Sequence, residues 1–184
     1  MESYKAKKLP FEYAIDKDML ILVAEANAKY GEYKSLLETL EFDSSYFLES
    51  VLLKESYKST QIEGTQITQE ELYYLKYMKK SDDSKEIENL KNAIEYAKKE
   101  LKNGKKIDYQ LVNEMHKLIL DSVRGSHKSP GQIRTTQNWI GPRGCTIETA
   151  TFVPPRPEEI YSLLENLYQY MNDQFEDPYL INIA

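Results

Sequence analysis

The stretch KSTQIEGT, residues 58–65, places a serine and a glutamate four positions apart, directly before a glycine. On a helix, residues four apart project from one face, so the Ser59 hydroxyl and the Glu63 carboxylate would point toward the same place. The end of a helix carries a partial negative charge, which makes a glutamate unfavourable there unless a cation meets it. If Glu63 is buried it needs a partner such as an arginine, whereas if it is exposed it simply belongs to a helix end capped by Gly64. Spacing alone leaves both interpretations open.

The helix that must position this pair is predicted to begin at Ser44 or Ser45, either of which could cap it, and to end at Gly64. Residues at spacings of three and four form one stripe along it, which begins apolar and ends polar. The members of this stripe are Leu48, Leu52, Ser56, Ser59 and Glu63.

A longer helix is predicted before it, from about Asp16 to Leu40. After it, two pairs have the spacing of a capping box, in which the side chains at the first and fourth positions bond each other's backbone N–H. These pairs are Thr68 with Glu71 and Asp83 with Glu86. We therefore expect helices to begin at both places.

Two further helices are expected, one capped by Asp108 and one with Pro157 in its first turn. Together with the helix after Asp83, they carry apolar stripes at helical spacing, which predict the faces turned to the core. The predicted inward residues are Ile87, Leu90, Ile94, Ala97 and Leu101, then Leu111, Val112, Met115, Leu118 and Ile119, and last Ile160, Leu164, Leu167 and Met171.

Between these last two helices, β-branched and aromatic residues flank the turn sequence GPRG. This pattern predicts a β-hairpin with arms at about 135–140 and 147–153, which a pair of prolines ends. We expect Trp139, Ile140 and Phe152 to anchor the hairpin on the helices, with direct contact to a bound partner as the alternative.

Composition narrows the class of protein. The 184 residues carry a net charge of −6, with lysines interleaved among glutamates, which disfavours a nucleic-acid-binding regulator. No apolar run is long enough to span a membrane, and no secretory signal is evident at the start. Cys145 is the single cysteine and is interpreted as an incidental loop thiol, so the expectation is a cytoplasmic protein with no membrane partner.

Four quoted segments resemble the Fic (filamentation induced by cAMP) family in the expected order. The inhibitory-helix pattern of that family, a Ser or Thr, three residues and then Glu-Gly or Glu-Asn, matches LLKESYKSTQIEGTQITQEEL. The segment LPFEYAIDKDMLILVAEANAKYGEYKSLL looks like its N-terminal helical region, and VNEMHKLILDSVRG looks like the helix before its flap. The flap itself is similar to SPGQIRTTQNWIGPRG and ATFVPPRPEEI. The resemblance covers nearly the whole chain.

The resemblance implies a mainly α fold with a β-hairpin flap, divided into an N-terminal region with the inhibitory helix (1–80) and the first part of the Fic domain (81–184). It implies AMP transfer from ATP to a target protein hydroxyl, with Mg²⁺ between the phosphates. Ser59, Glu63 and Gly64 would be the inhibitory residues, with Glu63 occupying an arginine that ATP otherwise needs. The implied target-binding flap residues are Thr135, Thr136, Gln137, Asn138, Trp139, Ile140, Gly141, Thr151, Phe152 and Val153.

The family's catalytic motif, His-Pro-Phe-x-Asp-Gly-Asn-Gly-Arg-x-x-Arg, does not occur in this sequence. We therefore expect a chain that stops before the catalytic loop, binds no cofactor tightly and is inactive alone. The two histidines precede no Pro-Phe, and we interpret His116 as a structural hydrogen-bonding residue and His127 as solvated. The alternative function is a non-catalytic helical interaction module, and a homo-oligomer is left open.

Overall fold

A computed structural model describes residues 2–39, 44–62, 64–74 and 81–173. Six α-helices lie within these ranges, which confirms the prediction of a mainly α protein. They are α1 (Lys17–Thr39), α2 (Ser44–Ile62), α3 (Gln69–Tyr74), α4 (Asp82–Lys102), α5 (Tyr109–Ile119) and α6 (Pro157–Asn172).

The core lies where the second half of α2 meets α4, the helix that also packs against α5. Ile87 of α4 is fully buried in this core and Leu53 of α2 packs against its edge. The other members come from α2, the segment after it and α3, and they are Tyr57, Ile67 and Leu72. The chain that follows the KSTQIEGT stretch is thus part of the core.

Three of the predicted helix starts are confirmed here, those of α3, α5 and α6. The Thr68 backbone N–H donates to Glu71 Oε2 at 2.8 Å, and Glu71 N–H donates back to Thr68 Oγ1 at 3.2 Å, so the capping box begins α3. Asp108 caps α5 by accepting the Leu111 N–H at 2.7 Å. Pro157 stands at the first position of α6, as expected.

The predicted capping box of Asp83 with Glu86 is wrong. Ser81 caps α4 instead, since its hydroxyl accepts the Ser84 N–H at 3.1 Å while Ser84 Oγ accepts the Ser81 N–H at 2.8 Å. Asp83 and Glu86 bond residues far away in the sequence, and those tertiary partners take the place of the local cap.

The predicted inward faces are only partly correct. Ile87, Ala97 and Leu111 are buried, but one residue of each stripe lies on the surface. The exposed members are Leu101 (39%), Val112 (38%) and Met171 (47%). Helix α1 buries none of its side chains among the described residues.

The predicted hairpin differs from the structure, which has one isolated antiparallel bridge between Ile140 and Phe152. Ile140 N–H donates to Phe152 O at 2.8 Å, and Phe152 N–H donates back to Ile140 O at 3.0 Å. Beyond Ile140 the chain turns on itself, with Cys145 N–H bonded to Pro142 O and Thr149 N–H bonded to Thr146 O. These local turns use backbone groups that a longer ladder would need.

Candidate functional site

Helix α2 ends as the sequence predicts. Gly64 has φ +95°, a left-handed conformation that glycine adopts without steric cost. Its N–H donates to Gln61 O at 3.0 Å, and Thr65 N–H donates to Thr60 O at 3.1 Å, so two terminal carbonyls of the helix are satisfied. An added Cβ would meet no atom within 4 Å, which means that backbone conformation rather than space favours glycine here.

Ser59 is half-buried in the last full turn of α2. Its hydroxyl donates to Glu55 Oε1 at 3.3 Å, one turn toward the start of the helix. Glu63 lies outside the described residues, so the predicted pairing of Ser59 with Glu63 stays a prediction. The structure places Ser59 and Gly64 at the same end of α2.

The most buried face of α2 shares Ser56 with the predicted stripe and is otherwise shifted by one position, to Tyr57 and Thr60. Ser56 is fully buried, and among the described residues no hydrogen-bond partner reaches its Oγ. Thr60 is 8% exposed, and its hydroxyl donates to Tyr57 O at 3.1 Å. The sequence interpretation missed Tyr57 and Thr60, although Leu53, Tyr57 and Thr60 themselves have helical spacing.

A polar cluster, which we name the Arg124 cluster, fixes the chain directly after Gly64. It consists of Thr65, Gln66, Asp83, Glu86 and Arg124. The Arg124 guanidinium donates to both carboxylate oxygens of Glu86, from Nε to Oε1 and from Nη2 to Oε2, each at 2.7 Å. This two-point geometry is the strongest form of side-chain ion pair.

The same carboxylate bonds the segment after α2. The Thr65 hydroxyl donates to Glu86 Oε2 at 2.7 Å, and the Gln66 N–H donates to Asp83 Oδ2 at 2.8 Å. The hydrogen bond from Arg124 lowers the pKa of Glu86 below its ordinary value, so the carboxylate is charged at neutral pH. Sequence reasoning did not find this cluster, because its members come from three separate parts of the chain.

A cavity of about 740 Å³ opens beside the Arg124 cluster and reaches Ser59. His116 lines it, and its Nδ1 accepts the Gly131 N–H at 3.0 Å, which confirms the predicted structural role. His127 is exposed, also as predicted. Within the described ranges, no group of three His, Cys, Asp or Glu side chains could hold a metal ion.

Side chains, rather than a backbone ladder, join the two arms of the predicted flap. Arg134 donates to Thr136 O at 2.9 Å and also to Pro155 O, while Gln137 Nε2 donates to Pro154 O at 3.1 Å. Trp139 Nε1 donates to Cys145 O at 3.0 Å and so closes the loop between the arms.

The expected aromatic and apolar anchors of the flap are largely at the surface. Trp139 is 42% exposed, Ile140 63% and Phe152 39%, so the prediction that they pack on the helices is wrong. The buried residues of this segment are Ala150, at 9%, and Val153, at 2%. Gly141 allows a close approach, since an added Cβ would lie 3.1 Å from the Thr151 nitrogen.

The remaining predicted flap residues are mostly at the surface as well. Gln137 is half-buried, and the others are exposed, namely Thr135, Thr136, Asn138 and Thr151.

The start of the chain lies along the second arm. Tyr4 N–H donates to Val153 O at 2.7 Å, and the Tyr4 ring lies 5.7 Å from the Phe152 ring. Further on, Leu9 exchanges two hydrogen bonds with the Asn166 side chain of α6. One edge of the flap segment is therefore occupied by the protein's own backbone.

Residues 20–99 match the family model described as the Fic/DOC family N-terminal region. This match supports a Fic family protein with an N-terminal region of that kind. The matched range contains Ser59, Gly64 and the first four members of the Arg124 cluster, whereas Arg124 and the flap segment lie beyond it. The search of curated proteins found no match. No helix in the described part of the chain has the length and apolar character needed to cross a membrane.

Proposed function

We propose that this chain is part of a self-inhibited protein adenylyltransferase that acts in the cytoplasm. In this reaction the hydroxyl oxygen of a target protein bonds to the α-phosphorus of ATP, and pyrophosphate leaves. The observation that carries the proposal is the Fic/DOC N-terminal match over α2, which ends at Ile62, two positions before a glycine with φ +95°. The family match, the inhibitory sequence pattern and the end of α2 all fall on the same stretch, residues 58–65.

Self-inhibition in this proposal depends on Glu63, the residue between Ile62 and Gly64. The described residues on both sides of it are held in place, since Tyr57 and Ile67 are in the core and Thr65 is 4% exposed. A carboxylate at a fixed helix end is well placed to attract an arginine, and that arginine could then not hold the γ-phosphate of ATP. Ser59, one turn earlier, would support the carboxylate.

The flap segment in this proposal binds the target protein by adding an extended strand. Support comes from residues 135–139, which form no backbone-to-backbone hydrogen bond with any other residue that the structure describes. Thr136 O and Asn138 O accept the Arg134 and Gln137 side chains, but the other backbone groups of this stretch can pair with an incoming peptide while exposed Trp139 and Ile140 contact its side chains. Such backbone recognition would tolerate varied target sequences.

ATP is the substrate in this proposal, and Mg²⁺ is its usual partner in the family. Among the described residues no group of three His, Cys, Asp or Glu side chains could hold a metal ion, so no residue of this chain is assigned to the magnesium ion. The phosphate-binding and catalytic groups belong to the His-Pro-Phe motif, which the sequence does not contain. No catalytic step is assigned to a residue of this chain.

The direct test is to incubate the 184-residue protein with labelled ATP and candidate targets, with the expectation of no transfer. Transfer at rates typical of the family would show that the missing motif is not required. In a longer form that carries the motif, Glu63→Gln should raise self-modification because the arginine is released. Glu70→Gln, which removes a neighbouring exposed carboxylate, is the matched control and should change nothing. Equal activity of both variants would refute the inhibitory role.

A further inference from the structure

The end of the inhibitory helix is tied to the loop that leads to the flap. Arg124 lies after α5, in the stretch before Gly131, whereas Thr65 and Gln66 directly follow Gly64. Glu86 on α4 joins the two, because one carboxylate accepts the guanidinium at 2.7 Å twice and the Thr65 hydroxyl at 2.7 Å. Three elements that are distant in the sequence meet at this carboxylate.

Burial makes this arrangement more than a surface ion pair. The Glu86 side chain is 13% exposed and Thr65 is 4% exposed, while the Arg124 side chain is 54% exposed and covers the pair from the solvent side. If Arg124 left, the Glu86 carboxylate would remain largely buried with fewer donors, which is unfavourable. The most direct relief is a shift of the chain that contains Thr65.

From these contacts we infer that Arg124 and Glu86 are positioning residues for self-inhibition, because they hold the backbone directly after Gly64 and thereby the last turn of α2. This inference rests on the proposed function. Neither residue needs to contact ATP or the target. Loss of the Arg124 cluster should free the end of α2, and with it Glu63, from the place where it excludes productive ATP binding.

A nearby ion pair provides a matched control. Lys91 of α4 donates to Glu49 of α2 at 2.7 Å, so this pair also has one partner on α4 and the same bond length, but it lies far from the end of α2. Each pair combines one largely buried side chain with one about half exposed, so Lys91→Gln removes an ion pair of similar burial. Only the Arg124 cluster touches the segment that follows Gly64.

The first experiment measures amide hydrogen exchange in the 184-residue protein and needs no catalytic activity. Arg124→Gln should accelerate exchange at Gly64, Thr65 and Gln66 by about tenfold, because their bonds open locally without the ion pair. Thr65→Val is a smaller change that keeps the ion pair, so it should accelerate exchange at these amides less. Lys91→Gln should not change exchange at these amides. Unchanged exchange in Arg124→Gln would overturn the inference.

The second experiment measures AMP transfer in the longer form that carries the catalytic motif. Arg124→Gln should raise self-modification toward the level of Glu63→Gln, Arg124→Lys should restore part of the inhibition, and Lys91→Gln should leave the rate unchanged. Faster exchange with no rise in transfer would overturn the positioning role while leaving the adenylyltransferase proposal intact. If Glu63→Gln does not raise self-modification, the proposed inhibitory function is refuted, whatever the hydrogen-exchange measurements show about the Arg124 cluster.

Discussion

Replacement of Ser56 by alanine should stabilise this protein, contrary to the usual effect of changing a buried residue. The Ser56 side chain is fully buried in the middle of α2, and its Oγ has no hydrogen-bond partner among the described residues. In the unfolded chain water bonds the same hydroxyl, so folding leaves a desolvated polar group uncompensated. Alanine removes that group without enlarging the side chain.

Two effects set the size of the stabilisation expected from Ser56→Ala. Leaving a buried polar group unsatisfied costs about 1–3 kcal/mol, and alanine exceeds serine in helix propensity by roughly 0.5 kcal/mol. The small volume vacated by the oxygen opposes these gains. We therefore expect Ser56→Ala to raise the free energy of unfolding by about 1–2 kcal/mol, which for a chain of this size raises Tm by about 2–6 °C.

Urea unfolding followed by circular dichroism measures this change, and an unaltered m-value would show that the compared states are the same. Thr60→Val is the matched control one turn along, because its buried hydroxyl does have a partner, Tyr57 O at 3.1 Å. It should destabilise the protein by about 1 kcal/mol. If Ser56→Ala destabilised the protein as much as Thr60→Val, the Ser56 hydroxyl would be bonded and the reasoning refuted.

Three further predictions concern the segments on either side of α5 and the end of α2. Gly131→Ala should lower the free energy of unfolding by about 2–4 kcal/mol, because φ is +72° and the new Cβ would lie 2.5 Å from a lysine carbon and 3.0 Å from a backbone oxygen of α5. Gly64→Ala, where the new Cβ meets open space, should lower it by only about 1 kcal/mol. Equal losses in urea unfolding would contradict this difference. The pKa of Glu86 lies below its ordinary value of 4.5, so its contribution to stability is complete above pH 4.5 and is lost as the pH falls through the lower folded-state pKa. In Glu86→Gln, the free energy of unfolding should therefore fall less steeply with decreasing pH than in the original protein. If the two proteins lost stability in parallel as the pH fell, that would be evidence against the ion pair. Trp139→Phe removes the hydrogen bond to Cys145 O at 3.0 Å. Alkylation of the Cys145 thiol should therefore become faster while Tm changes little. An unchanged alkylation rate would argue against the loop closure by Trp139.

Most of the helical framework could be predicted because its signals are local. Apolar spacing and turn residues gave the extent of α2, and caps within four residues gave the starts of α3 and α5. The same local rule failed at Asp83 and Glu86, which have the right spacing for a cap but bond Gln66, Arg124 and Thr65 instead. A capping pattern cannot distinguish a carboxylate that bonds its own helix from one that bonds another segment.

The flap segment shows a second limit of pattern reasoning. The β-branched and aromatic residues around GPRG predicted a hairpin, but the described residues show only the single antiparallel bridge of Ile140 with Phe152. The pattern could not show that the Arg134 and Gln137 side chains, beside that bridge, would bond the backbone of the second arm. Because this leaves residues 135–139 without backbone partners among the described residues, the shortened pairing is itself relevant to binding an extended peptide.

The candidate site combines both kinds of information. A motif of residues 59–64 can be found in the sequence because all its members lie within six consecutive positions, but the contacts that fix the end of α2 cannot. Arg124 follows Thr65 by 59 positions and lies outside the matched range of 20–99, so neither helical spacing nor the family model connects the two. Only the fold shows that the Glu86 carboxylate bonds both residues. The proposed self-inhibition should therefore depend on residues around the flap loop as well as on the end of α2, and variants of Arg124 separate the two contributions.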